Sequence, residues 1–191
     1  MKPTAIILGG GHSHRYGRDK LSARWAGTTH LEHVVRALPT ERDEVLLVIR
    51  AAQRADFPGV DRVIFDAPNL PEGPLRGITS GLRASNSLWN WVLACDHPRL
   101  RTSMLRLLAS RAQEDSDAVV FRKDGRAEPL VAMYATRCLD VIEEMQREGS
   151  KGVWEALARL RTTWIDEGEW RNLDTEGHTF YNVNTPNGES D

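Results

Sequence analysis

Thr4-Ala5-Ile6-Ile7-Leu8-Gly9-Gly10-Gly11-His12-Ser13-His14-Arg15-Tyr16-Gly17-Arg18-Asp19-Lys20 runs from an apolar segment straight into a glycine turn and then into cations. The apolar part is short, rich in β-branched side chains and closed by glycine, which predicts a buried strand over 4–8. Three glycines without Cβ atoms let the backbone turn tightly and approach a ligand. Successive N–H groups in such a turn form a concavity suited to an anion. Arg15, Arg18 and Lys20 add positive charge to the same loop. A strand, a glycine turn and then cations make a phosphate-holding arrangement, although glycine can also serve here merely to relieve a strand-to-helix turn. Two common phosphate motifs are excluded by spacing. No glycine of the loop starts G-x-G-x-x-G, and the P-loop's Gly-Lys-Ser/Thr is absent, since Gly17 precedes Arg18 and Lys20 precedes Leu21.

Outward from this loop, 191 residues suit one domain, 1–191, large enough to build a substantial core. A net charge of −2 gives no general attraction to nucleic acid or to anionic membranes, so anion binding must come from a local cluster. Cys95 and Cys138 are far apart and in no metal-ligand spacing, which argues against a disulfide scaffold and a zinc site. The N-terminal apolar run is too short for a signal peptide and no stretch is long enough to span a bilayer, so a cytoplasmic protein is expected.

The order of elements is that of an α/β protein. Helical spacing predicts a helix over 31–38, ended by Pro39. Buried strands are expected at 45–49 and 60–65, then a Pro/Gly-rich loop over 66–74 and a helix from Ile78 with Gly77 near its first turn. The segment 89–95 (WNWVLAC) is the most apolar strand candidate and stops at Asp96. Thr102 or Ser103 is expected to cap the next helix. A strand at 118–121, an Asp124-Gly125 hairpin turn and a returning strand over 129–134 follow, then amphipathic helices over 139–145 and 153–160 and a short strand at 163–165. The tail after Asp166 reads as a polar loop. Alternation of strands and helices predicts a mostly parallel sheet with helices on both faces and, through the Asp-Gly hairpin, one antiparallel strand. Ligands in such sheets bind beyond the carboxyl ends of the strands, where Leu8-Gly9 and Cys95-Asp96 both lie.

Taken singly, the candidate residues admit ordinary explanations. Asp96 before His97-Pro98 suits a turn cap, and Lys20 suits a solvated surface. The six histidines form no metal set. Trp89 and Trp91 alternate on a strand in a way that favours core, and Glu143-Glu144 reads as a solvated helix face.

The motifs together narrow the reading. Leu8 to Lys20 resembles the signature L-A-G-G-x-S-x-R-M-G-x-D-K of the molybdenum cofactor guanylyltransferases and their nearest nucleotidyltransferase relatives, with Gly9 for the usual Ala and Tyr16 for the usual Met. Asp66 and the following Gly73-Pro74-Leu75-Arg76-Gly77 resemble D-x-x-x-x-x-G-P-L-A-G, with one residue more between Asp66 and Gly73. Cys95-Asp96-His97-Pro98-Arg99-Leu100 resembles C-D-x-P-x-L. Glu128-Pro129-Leu130 through Tyr134 resembles Q/E-P-L-x-x-x-Y, and Asn182-Val183-Asn184-Thr185-Pro186 resembles N-x-N-T-P.

The five segments occur in the family's order along nearly the whole chain. The resemblance implies a three-layer Rossmann-like nucleotidyltransferase fold, and a Mg²⁺-dependent transfer of GMP from GTP to molybdopterin with release of pyrophosphate. It implies that Leu8, Gly9, Gly10 and Gly11 cradle the nucleotide, that Lys20 and Arg15 act on its phosphates, and that Asp96 binds Mg²⁺. Asp66 and Gly77 would then recognise the nucleoside, Asn182 and Asn184 would lie near phosphates or pterin, and the strand after Glu128 near the second substrate. Other cofactor-biosynthesis proteins and target molybdoenzymes would be its partners. Arg50 departs from the Asn or Ser usual near that position and receives no role. The alternatives are a relative using CTP or another acceptor, against which Gly10, Gly11, Asp19 and Lys20 speak, and a nucleotide-binding partner without turnover.

Overall fold

The computed structural model describes residues 2–9, 21, 24–50, 57–150 and 152–183. In chain order they form β1 (Thr4–Leu8), β2 (Arg24–Trp25), β3 (Thr28–Thr29), α1 (His30–Ala37), β4 (Val45–Ile49), β5 (Arg62–Phe65), α2 (Pro74–Ala84), β6 (Trp89–Ala94), α3 (Thr102–Ser110), β7 (Ala118–Lys123), β8 (Arg126–Ala135), α4 (Cys138–Arg147), α5 (Val153–Arg159), β9 (Thr162–Ile165), α6 (Glu167–Trp170) and a 3-10 turn, His178–Phe180.

The main sheet has seven strands in the order β5-β4-β1-β6-β8-β7-β9. Pairing is parallel from β5 to β6 and between β7 and β9. The two antiparallel pairings, β6–β8 and β7–β8, are both made by β8, the strand that returns from the Asp124-Gly125 turn. Both turn residues have positive φ, 50° and 71°, as a two-residue hairpin of this twist requires. The mostly parallel sheet and the hairpin expected from the sequence are therefore present.

Strand periodicity sorts the side chains into two cores. Ala5 and Ile7 of β1, Leu47 of β4 and Leu93 of β6 pack under α1, α3 and α6. Ile6, Leu46 and Val92, their neighbours in sequence, pack under α2, α4 and α5. These are the three layers.

Local sequence explains the helix starts. Thr29 and Glu32 form a reciprocal capping box at α1, with Glu32 N donating to Thr29 Oγ1 at 3.2 Å and Thr29 N donating to Glu32 Oε2 at 2.8 Å. The helix α2 begins at Pro74, four residues before the expected Ile78. Gly73 takes φ 146° ahead of it, and proline at the first helical position needs no hydrogen-bond partner for a nitrogen that has no hydrogen. The expected capping by Thr102 is not observed. Thr102 is the first residue of α3, and its hydroxyl instead donates to Ala37 O at 2.8 Å, tying α3 to α1.

The tail after Asp166 is more ordered than its composition suggests. Asp166 N donates to Glu169 at 3.2 Å at the start of α6, and Trp170 and Phe180 enter the core in edge-to-face contact at 5.1 Å. Among the described residues, no helix is long and apolar enough to cross a membrane.

Candidate active site

The strands β1, β4, β5 and β6 end on one rim. Cys95 N donates to Leu8 O at 3.2 Å, so the start of the glycine turn and the residue before Asp96 are hydrogen-bonded neighbours. Gly9 N donates to Val48 O, and Asp66 N to Ile49 O, both at 2.8 Å. Between β1 and β6 the connections part: α1 covers one face and α2 the other. That is the switch point at which doubly wound sheets open a crevice.

Gly9 has a steric reason to lack a side chain. A Cβ built there would stand 2.7 Å from Leu21 Cδ2 and 3.1 Å from Ile49 Cγ2. Leu21, buried at 7 % exposure, thus packs directly on the residue from which the glycine turn departs. The chain leaves the described region at Gly9 and re-enters it at Leu21, at the same corner of the rim. Gly10, Gly11, Arg15, Lys20 and Asn184, all expected in the site, lie outside the described residues.

Gly77 sits under Leu8 and Asp66: its missing Cβ would be 3.1 Å from Leu8 Cδ2 and 3.7 Å from Asp66 Oδ1. The structure thereby brings Leu8, Gly77 and Asp66 together. Asp66 Oδ1 is buried and, among the described residues, accepts no hydrogen bond. Burial raises the carboxyl pKa above its usual value, while the Arg76 and Arg50 charges oppose the rise. Arg50 also lies 3.6 Å from Glu72. Arg76 replaces the Ala of the G-P-L-A-G pattern and was not singled out in the sequence. It is 8 % exposed, its Nη2 donates to Leu70 O at 2.6 Å, and among the described residues its Nε has no hydrogen-bond partner. It braces the 66–73 loop from beneath.

On the other side of β1, Asp96 is buried at the end of β6. Its carbonyl accepts from Val183 N at 3.1 Å, which brings Asn182 to this rim. His97 Nε2 stands 4.0 Å from Asp96 Oδ1, too far for a hydrogen bond. His97 Nδ1 lies 3.2 Å from Thr179 O, and since that oxygen can only accept, Nδ1 carries the hydrogen. The turn that supplies Thr179 is built on Asp174. This fully buried carboxylate accepts from Thr179 N at 2.7 Å and His178 N at 3.1 Å and meets Arg101 Nε at 3.3 Å. Burial alone would raise its pKa; the N–H donors of Thr179 and His178 and the Arg101 charge hold it below the usual value. Nothing in the sequence marks Asp174, because a lone Asp in a polar tail has no pattern.

The reversed β8 brings a further segment to the rim. Leu93 pairs with Val131, so Leu130, Pro129 and Glu128 extend beyond it towards the end of β6 that carries Asp96. Burial raises the Glu128 pKa, against the nearby Lys123. At the opposite end of the strands, a groove of ≈ 540 Å³ is lined by Lys2, Pro39, Trp89, Trp91, Arg106 and Met133. Trp91 is buried as expected; Trp89 is only partly so.

The β1/β6 switch point, with Asp66 and Asp96 on its rim and the chain entering the glycine-rich segment from Gly9, is the arrangement of a nucleotide-handling α/β protein. Comparison with known proteins makes this specific. The sequence profile of the family described as "MobA-like NTP transferase domain" matches residues 5–163, and the chain belongs to that family: it is a nucleotidyltransferase. A Bacillus cereus protein named "Probable molybdenum cofactor guanylyltransferase" is 30% identical, over 96% of this chain and 92% of its own length. The crystal structure of molybdopterin-guanine dinucleotide biosynthesis protein A from Archaeoglobus fulgidus superposes with a TM-score of 0.79 at 26% identity, covering 96% of this chain and 93% of that one. The 2-C-methyl-D-erythritol 4-phosphate cytidylyltransferase of Thermus thermophilus shares the fold, with a TM-score of 0.65 at 15% identity, covering 87% and 89% of the two chains.

Proposed function

We propose that this nucleotidyltransferase joins GMP from GTP to molybdopterin, forming the guanine dinucleotide and releasing pyrophosphate. The observation that carries the reading is the contact between β1 and β6: the residue from which the glycine turn springs is hydrogen-bonded to the residue before Asp96. One ligand can therefore touch both. The relatives' names, a guanylyltransferase of the molybdenum cofactor and a molybdopterin-guanine dinucleotide biosynthesis protein, support GTP and molybdopterin as the substrates.

The terminal phosphate of molybdopterin is the nucleophile. It attacks the α-phosphorus of GTP as the bond to the β-phosphate oxygen breaks, and pyrophosphate leaves with that electron pair. A phosphate monoester is already ionised near neutral pH, so the reaction needs alignment and charge neutralisation rather than a protein base. Gly9 N–H is committed to Val48 O, which corrects its expected part in the cradle; the N–H groups of Gly10 and Gly11, with Lys20 and Arg15, take up the charge growing on the leaving group. Asp66 Oδ1, a buried acceptor with no donor among the described residues, is suited to N–H or O–H donors of the nucleoside. Gly77 leaves room beside it. Asn182 and Asn184 offer amides to the second substrate.

The residues present fit Mg²⁺. That ion takes oxygen ligands, commonly one or two carboxylates completed by substrate phosphates and water. Asp96 is a buried carboxylate on the rim, and among the described residues no set of three or more protein ligands is ready to hold a metal without substrate. Asp96 would hold the ion, which when bound neutralises phosphate charge.

The test is pyrophosphate release with molybdopterin as acceptor and each nucleoside triphosphate in turn. GTP-dependent formation of the dinucleotide supports the assignment. A clear preference for CTP would make the protein a different branch of its family, and tight GTP binding without any magnesium-dependent product would make it a binding partner.

A further inference from the structure

Three residues past Asp96, the guanidinium of Arg99 lies over two aromatic rings. Its Cζ is 4.8 Å from the ring centroid of Tyr181 and 5.3 Å from that of Trp25. Tyr181 belongs to the tail whose Val183 N bonds the Asp96 carbonyl. Trp25 ends β2, a few residues after the glycine loop. Its carbonyl oxygen lies 2.8 Å from His33 Nε2 of α1, and the two rings meet edge-on at 5.0 Å. The cluster is thus anchored on α1, on the tail and on the Asp96 turn.

A guanidinium held over aromatic rings keeps its five N–H donors around its edge. Among the described residues, no carbonyl or carboxylate receives any of them. A cation so held has already lost rotamer freedom, so an anion arriving at its edge meets little further ordering cost. Arginine's planar fork matches phosphate oxygens two at a time.

The position selects the ligand. The helices α1 and α3, which flank the cluster, cover one face of the sheet; α2, which carries Gly77 beside Asp66, covers the other. A nucleoside lying over Asp66 and Gly77 is therefore directed away from Arg99.

We infer that Arg99, placed over Trp25 and Tyr181, is an anion subsite that binds the phosphate monoester of the acceptor. This rests on the transfer reaction proposed above. It makes Arg99 a binding and aligning residue on the acceptor side of Asp96.

Two measurements on the full chain test it. In the first, inorganic phosphate is titrated while the arginine side-chain Nε–H resonances are followed by NMR, with the Arg99 signal identified by its loss in Arg99→Met. A saturating shift of that signal is expected, and no movement overturns the subsite. In the second, Arg99→Met is expected to raise KM for molybdopterin roughly tenfold or more, with KM for GTP within about twofold of the parent and an unchanged melting temperature. Arg99→Lys, which keeps a cation but loses the fork, is expected to fall between. An unchanged molybdopterin KM, or a GTP KM that rises in step with it, overturns the acceptor assignment. Should the unaltered protein make no dinucleotide from molybdopterin, the reaction proposed above fails, and the phosphate titration alone decides whether Arg99 holds an anion.

Discussion

Two glycines of α2, one helical turn apart, are expected to respond oppositely to alanine. Each substitution removes the helix penalty of glycine, worth about 1 kcal/mol in an interior position. At Gly81 the new Cβ would lie 2.4 Å from Ile6 Cγ2, with Ile6 Cδ1 and Cγ1 at 3.1 and 3.3 Å. Ile6 is fully buried on β1, held between β4 and β6, and cannot swing aside. A 2.4 Å contact with a fully buried, β-branched side chain belongs in the upper part of the range for overpacking, about 2–3 kcal/mol, so after the helix gain Gly81→Ala should lose about 1–2 kcal/mol. For a chain of this size that is a fall in melting temperature of roughly 2–8 °C. At Gly77 the tight contact is 3.1 Å to Leu8 Cδ2, the far end of a flexible side chain, and Asp66 Oδ1 at 3.7 Å is in ordinary contact. Leu8 can give way, the helix gain offsets the crowding, and stability should stay within about 0.5 kcal/mol. The methyl nevertheless fills the space between Leu8 and Asp66. If the nucleoside lies there, a loss of about 1.4 kcal/mol in binding raises KM for GTP tenfold. Thermal melts and GTP kinetics on both variants check this. Gly81→Ala as stable as the parent would refute the packing argument, and Gly77→Ala with unaltered GTP kinetics would refute the place given to the nucleoside.

Other substitutions probe the rim and its supports. Asp96→Asn should abolish turnover while the folded state persists, since the amide keeps the side-chain shape but not the charge; activity near that of the parent, at any magnesium concentration, would remove Asp96 from the mechanism. Asp174→Asn should cost about 1–3 kcal/mol in denaturant unfolding, because one buried N–H of the 178–179 turn loses its acceptor; it should also slow turnover, because that turn carries Thr179 towards His97 and leads to Asn182. A fully active and fully stable variant would show that the turn does not depend on its carboxylate. Acid stability should depend on Asp117, which receives Arg161 Nε at 2.9 Å and Arg137 Nε at 2.8 Å. The Arg161 hydrogen bonds, then those of Arg137, hold its pKa far below the usual carboxylate range. A group depressed on folding contributes stability above its unfolded pKa and loses it as the pH falls towards the folded value, so the parent should lose more stability than Asp117→Asn on acidification below the carboxylate range. Parallel acid-melting curves for the two proteins would contradict the linkage.

The sheet was legible because its strands carry the information twice. Ile6 and Ile7, or Leu46 and Leu47, are all apolar, and each pair serves one core on each face, so the run reads as a buried strand without knowledge of its partners. The rim was legible because Leu8-Gly9, Asp66 and Cys95-Asp96 each break such a run at its carboxyl end. What the sequence hid depends on long-range partners. The hairpin of β2 and β3 is two residues on each side, too short for any periodicity. The helix α2 began among prolines and glycine that read as loop, although Gly73-Pro74 is also a helix-start signal. Trp170 and Phe180 are isolated aromatics in a polar tail, and only their mutual contact makes them core. Arg99 was passed over because its significance lies in two rings, 74 residues before it and 82 after it in the chain.

The account stands on a nucleotide held between the glycine turn and Asp96. The direct measurement is an experimental structure of the protein with GTP and Mg²⁺ bound. The account predicts the triphosphate between the 8–20 loop and Asp96, the metal on the Asp96 carboxylate, and the guanosine beside Asp66 and Gly77. A nucleotide seated elsewhere, for instance in the groove lined by Trp89 and Trp91 at the opposite end of the strands, would contradict it.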